Sequence, residues 1–405
     1  MKSNKRLFLS PVIIVIIFVL AACQAVPRVI ATEPPANSNP VFLATPDPGN
    51  AGKPVPLPTQ DSGLKENPTE NEPHQGDLGE LYFVINDIRM GSLSLARLPG
   101  ECAGGITPCP EPEIIPGFPN ISESVRPLVW SPDASSALLP YGDFLFRFDP
   151  ALGTWKPVAQ TGVQDLAQWS PDGERIAWIA LTAQGLDVFT ARPDGSGLQN
   201  LTGGRYAGEG QNLAQLTWIG STNISFWVFK QGQPKELLQM NVDTGETAPL
   251  IQMAEMTKDT LAFSPDRRRV AIESFVEGDT NLKIGNTDGS EMSTVGTYGA
   301  ASIWPMSWSP NGKWVVYAVY KSADVDPLTH VYLAAADGSQ EAREIFQAEN
   351  VSALVWAPDS QSLVAQADQD GQTRLFAILV PSVASTPITF PGLENGMMLQ
   401  GISWR

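Results

Sequence analysis

Trp169-Ser-Pro-Asp172-Gly173, near the middle of the chain, decides the fold because it is one of a series. An aromatic residue followed by a small residue, Pro and Asp or Asn recurs as Trp130-Ser-Pro-Asp133, Phe263-Ser-Pro-Asp266, Trp308-Ser-Pro-Asn311-Gly312 and Trp356-Ala-Pro-Asp359. A degenerate copy, Trp218-Ile-Gly-Ser221, fills the gap between the second and third, and Ile402-Ser403-Trp404-Arg405 begins one more. The aromatic positions 130, 169, 218, 263, 308, 356 and 404 are spaced by 39, 49, 45, 45, 48 and 48 residues. Six of the 11 Trp fall on this one position, so the spacing marks an internal repeat.

Within each unit the order is constant. An apolar run ends in the aromatic; a Pro-Asp turn leads to a second run such as Arg175-Ile-Ala-Trp-Ile-Ala180; a variable loop leads to a third such as Asp187-Val-Phe-Thr190. An Asp-Gly turn (Asp194-Gly195, Asp288-Gly289, Asp337-Gly338, with Asp243-Thr-Gly245 a near match) then leads to a short fourth run. Asp-Gly favours two-residue hairpins because Gly accepts positive φ. Four antiparallel strands every ~40 to 50 residues are propeller blades. Residues 80 to 118 lack a leading Trp-Ser-Pro-Asp strand, and the strand ending at Trp404 supplies it. The expected fold is therefore all-β, a seven-bladed propeller over 79–405 whose ring closes when the C-terminal strand pairs with the first blade. The motif resembles the TolB-type, WD-repeat-like propeller family over essentially all of 79–405. That resemblance implies a fold rather than a function. TolB itself is six-bladed behind an α/β domain, so its Pal-binding role is not carried over.

Ahead of the repeats, Lys2, Lys5 and Arg6 precede a stretch from Leu7 to Leu20 that is apolar apart from Ser10 and Pro11, and Ala21-Ala22-Cys23 follows. Residues 1–22 read as a secretory signal peptide, because the apolar stretch is short for a ~20-residue span and small residues precede the cysteine. The pattern resembles bacterial lipoprotein signals, which implies that Cys23 becomes a lipidated N-terminus; an uncleaved membrane anchor is the alternative. Both put the rest of the chain outside the cytoplasm, anchored to the cell membrane. Between 24 and 78 there are 11 Pro in 55 residues and little to build a core, so 23–78 is expected to be a Pro-rich, disordered tether.

The chain carries 26 basic and 43 acidic residues, a formal net charge of −17. A chain this acidic is a poor partner for nucleic acid, whose binding relies on Lys and Arg. With His74 in the tether and His330 the only other histidine, a multi-histidine metal centre cannot be assembled, and no Gly-x-Ser-x-Gly elbow occurs. Neither a cofactor nor a catalytic residue is expected. Asp368-Gln-Asp370-Gly371 and Asp324-Val-Asp326 look like fragments of a calcium loop without its full spacing, and no metal site is assigned. Cys102 and Cys109 are expected to form a disulfide in an oxidising compartment.

Antiparallel order puts both short turns of every blade on one face. The variable loops, including 203–212, 297–305, 321–329 and 391–399, then share the other, where binding residues are expected. Arg205, Tyr206, Tyr298, Trp304, Asp324 and Asp326 are the candidate contacts, since Arg and aromatics anchor interfaces; Tyr298 and Trp304 read equally as packing at a blade junction. The leading functional expectation is a non-catalytic scaffold binding a cell-envelope protein, peptide or polymer. The alternative is a calcium-assisted enzyme processing polysaccharide or peptide on the variable-loop face.

Overall fold

Each repeat folds into one four-stranded antiparallel sheet, and seven such sheets are present. The computed structural model describes residues 78–405 except 88–89, 105–108, 119–125, 142, 161, 164–166, 209, 234, 252–259, 323–324 and 392–396. The signal peptide, Cys23, the tether with His74, and Asp324 lie outside the described residues.

The repeat around Trp169 shows how a blade is made. Its strands are Gln168–Trp169, Ile176–Thr182, Gly185–Ala191 and Gln199–Asn200, in sequence order across the sheet. The first turn is closed by its own side chains: Ser170 Oγ donates to Asp172 Oδ1 (2.6 Å), which also accepts the Glu174 amide (3.1 Å). Gly173 completes it at φ +73°, a left-handed conformation that glycine adopts without strain. The same bonds join Ser131 with Asp133, Ser264 with Asp266, and Ser309 with Asn311. The Ser131 hydroxyl and the Ser135 amide hold the Asp133 carboxyl down at about 2. The repeated aspartates therefore serve the turn.

The second strand is apolar throughout because its sheet is sandwiched between two others. Residues 176–180 are buried without alternation. The core accordingly lies between blades: Leu138 and Leu145 of the second blade pack with Trp178, Ile176 and Phe189 of the third.

The repeated tryptophans link neighbouring blades. Trp169 Nε1 donates to the Val129 carbonyl (2.8 Å), Trp218 to Gln168 (3.1 Å), Trp308 to Ala262 (2.8 Å) and Trp356 to Ser307 (3.3 Å). Each acceptor immediately precedes the aromatic of the preceding repeat. The first strands of successive repeats are thereby neighbours around the central axis. Phe263 occupies the same position without an N–H.

Closure follows the expected route. Met397–Trp404 pairs with Glu80–Asp87, which continues through Ser92–Pro99 to Glu113–Ile115. Glu80 and Arg405 exchange backbone hydrogen bonds (3.1 and 2.9 Å), and Trp404 Nε1 donates to the Leu78 carbonyl. Glu80 takes two guanidinium partners, Arg97 at 2.8 Å and Arg405 at 3.2 Å. Cys102 and Cys109 form a disulfide with a Cα–Cα distance of 5.5 Å, both buried in the first-blade core. It closes the connection between the third and fourth strands of that blade, where other repeats use an Asp-Gly turn. A loop this short contributes about 2–3 kcal/mol in the chain-entropy account.

Deleting 397–405 strips the first blade of its inner strand and uncovers Leu81 and Phe83, both fully buried. The deletion variant is expected to lose cooperative thermal unfolding and its near-UV circular dichroism. A monomeric variant that still melts in a single transition near the wild-type temperature would contradict closure as the source of stability.

Candidate functional site

A cleft on the variable-loop face lies where the sixth blade (301–348) meets the seventh (350–387). It encloses about 370 Å³ and is lined by Trp304, Tyr320, Lys321, Asp326 and Glu349, among others. Trp304 is 52% exposed, the one exposed residue of a strand whose others are buried or half-buried, and Tyr320 is 45% exposed in a strand otherwise largely buried.

Local structure explains why. Trp304 and Pro305 form a β-bulge in Ala301–Trp308: Ile303 pairs with Val319 and Met306 with Tyr317, so two residues oppose one. A bulge re-aims a side chain, and a proline there leaves no ladder N–H unsatisfied. The Ile303 amide beside it donates to Glu273 Oε1 (3.0 Å), a buried carboxylate reaching across from the fifth blade. Tyr320 is the penultimate residue of the strand Trp314–Lys321, paired with Thr329 at the edge of the loop. Glu349 is the residue joining two blades, and its carboxylate accepts the Asp370 and Gly371 amides (3.2 and 3.3 Å).

Asp326 is held from two sides. Its amide donates to the Ser322 carbonyl (2.9 Å), and its carboxylate accepts the Leu328 amide (3.1 Å) and contacts His330 Nε2 (2.9 Å). The Leu328 amide and then His330 keep its carboxyl below the usual range. His330 Nδ1 lies 3.2 Å from Glu344 Oε1, off the line a hydrogen bond requires, so that contact is electrostatic. Burial opposes protonation of His330, but Glu344 and Asp326 together outweigh it and raise its pKa. When protonated, His330 ties Asp326 to the outer strand Arg343–Ala348 through Glu344.

Of the residues singled out from sequence, the structure brings Trp304 and Asp326 together on this cleft. Tyr298 packs at the junction of the fifth and sixth blades, its hydroxyl hydrogen-bonded to that of Tyr317 and its ring 4.9 Å from Tyr332. Burial pushes its pKa up to about 12. Tyr206 is 8% exposed and stacks edge-on against Phe226, making it core rather than surface. Arg205 is exposed, but its guanidinium donates to the Gly245 carbonyl (3.2 Å), away from the cleft. Asp324 lies outside the described residues. Tyr320, Lys321 and Glu349 went unselected; Lys321 opens the loop 321–329 named for this face and Tyr320 precedes it, whereas Glu349 lies outside the four loops named. The Asp370-Gly371 fragment forms a two-residue hairpin at φ +53° and +70°, with Asp368 accepting Thr373 Oγ1 (2.6 Å) and Asn350 Nδ2 (3.1 Å). Among the described residues no group of three or more His, Cys, Asp or Glu could hold a metal ion.

The chain matches no protein-family model and no curated protein sequence. Solved structures do resemble it. An oligogalacturonate lyase from Vibrio parahaemolyticus gives a TM-score of 0.53 at 12% identity, covering 76% of this chain and 85% of that one. A prolyl endopeptidase gives 0.54 at 12% identity, covering 82% and 50%. TolB from Acinetobacter baumannii gives 0.48 at 16% identity, covering 66% of each chain. The chain thus spans about two thirds of that TolB and half of the endopeptidase. The likeness is one of fold, a β-propeller, and it does not decide for or against catalysis.

A histidine whose pKa is raised on folding stabilises most when protonated in both states, below the unfolded value of about 6.5, and that stability is lost as pH rises through the folded pKa. The gap in melting temperature between wild type and His330→Gln is expected to be widest near pH 6 and to close progressively above pH 6.5. A gap independent of pH between 5.5 and 9 would remove the ion-pair account.

Proposed function

We propose that this chain is an extracytoplasmic lipoprotein, anchored to the cell membrane through Cys23, whose propeller binds a protein, peptide or polymer of the cell envelope without chemistry of its own. The observation that carries the binding reading is the pair of half-exposed aromatics, Trp304 and Tyr320, on one cleft of the variable-loop face. Large aromatics left in water on a rigid frame are typical anchors of recognition. Asp326 and Glu349 beside them suit a partner presenting amide, hydroxyl or cationic groups. The N-terminal sequence supports the anchoring, since a basic start, a short apolar stretch and Ala21-Ala22-Cys23 occur in that order.

Chemical crosslinking of the full chain in native membranes tests the binding reading. A partner captured in near-stoichiometric yield by wild type is expected to be lost on Trp304→Ala, which removes roughly 2 kcal/mol or more of anchor energy. The same partner should survive Leu152→Ala, which alters an exposed side chain on the second blade. Equal capture by wild type and Trp304→Ala would move the site elsewhere.

Fractionation tests the anchor separately. Cys23→Ser is expected to shift the chain from the membrane pellet to the soluble extracytoplasmic fraction. Retention in the pellet would point to an uncleaved apolar anchor.

A further inference from the structure

At the other end of the ring, among the first strands of the third to sixth blades, lies a cavity of about 580 Å³ that the variable-loop cleft does not explain. Its walls include Gln168, Thr217, Phe263, Arg267, Met306 and Trp308, so four consecutive blades contribute and the cavity lies on the central axis. It opens where the indole series is interrupted. Phe263 has no N–H to give to the fourth blade, whereas Trp169, Trp218, Trp308 and Trp356 each bond the blade before them.

Arg267 is the singular residue of this cavity. It occupies the turn position filled by Gly173, Gly312, Ala134 and Ser360 in other repeats, and like them it adopts a left-handed backbone, at φ +61°. A long cationic side chain is a costly choice there. Its backbone is pinned by Thr287, whose hydroxyl donates to the Arg267 carbonyl (2.7 Å). The guanidinium is half-buried and takes part in no ion pair among the described residues; burial alone pulls its pKa below the usual value, with no carboxylate opposing that shift. The adjacent Asp266 carboxylate is engaged by Ser264 and the Arg268 amide. In a chain of net charge −17, a half-buried guanidinium facing a cavity without a counter-charge is complementary to an anion.

We propose that this axial cavity binds an organic carboxylate, its anionic head against the Arg267 guanidinium and an apolar body against Phe263 and Met306. The volume is that of an ordinary small-ligand site. Arginine suits a carboxylate because its planar fork offers two parallel N–H donors. Gln168 and Thr217 add polar groups to the same wall. Two sources present this chemistry, a free small acid and the C-terminus of a peptide.

Isothermal titration of the full chain separates them, using phenylacetate, phenylacetamide, and N-acetyl-Ala-Phe with a free or an amidated C-terminus. At least one of the two acids is expected to bind while its amide does not, and phenylacetate binding assigns a free acid whereas binding confined to the dipeptide assigns a chain end. Arg267→Gly is expected to weaken the acid tenfold or more. Its ligand-free melting temperature should equal or exceed wild type, because glycine relieves the left-handed backbone. Arg267→Gln, which keeps most of the side-chain length, should lose binding equally. Heat from neither acid, or unchanged affinity in both variants, would overturn the site.

Discussion

An indole N–H donating to a carbonyl of the preceding blade is the interaction on which the ring depends. Each such bond is worth only ~1 kcal/mol net. Its importance is geometric, because a planar indole that must reach one particular carbonyl sets both the spacing and the rotation between adjacent sheets. The turn that follows the aromatic, Ser-Pro-Asp or a close variant of it in five of the seven repeats, holds the ring at the end of its strand. Sequence repetition thus becomes rotational repetition. Phe263, which has no N–H to give, lines the axial cavity together with Gln215 and Arg267, both left-handed.

The two faces of the disc differ for a reason rooted in strand order. Turns that recur with their own side-chain bonds leave little freedom, so the face that carries them repeats from blade to blade, apart from the seam, the disulfide connection, the degenerate turn after Trp218 and the departure at Arg267. The opposite face is assembled from connections of unequal length, and there the bulge at Trp304, the end of the strand at Tyr320 and the inter-blade residue Glu349 meet. There too His330 stands between Asp326 and Glu344, linking the cleft to the outer strand of the sixth blade.

Blade number, strand order, ring closure and the Cys102–Cys109 bond were legible in the sequence because each rests on short-range chemistry: a turn, a period, a pair of cysteines seven apart. The cleft was legible in part. Trp304 announced itself as an aromatic in a variable loop, but nothing in its neighbours told it from Tyr206, which points inward because Phe226 of the next blade happens to receive it. Arg267 was hidden for the opposite reason. Read along the chain, it is one charge in the run Arg267-Arg268-Arg269 after a turn; only the ring brings it to face Gln168, two blades and about a hundred residues away. Likewise Phe263 passes as an equivalent aromatic until the missing N–H is seen against its siblings.

The seam has a topological consequence. Leu78 and Arg405 lie side by side, with Gly79 at φ +69° beneath the Arg405 carbonyl, at the point where every other blade carries its first turn. The seam is a first turn cut open, and the first blade differs from the rest chiefly in having its strands supplied from the two ends of the repeat region. A ring of this kind has no intrinsic first member. Its blades could be written in any cyclic order, with the opening moved to another turn and the present one sealed by a few residues, and the same set of neighbours would result.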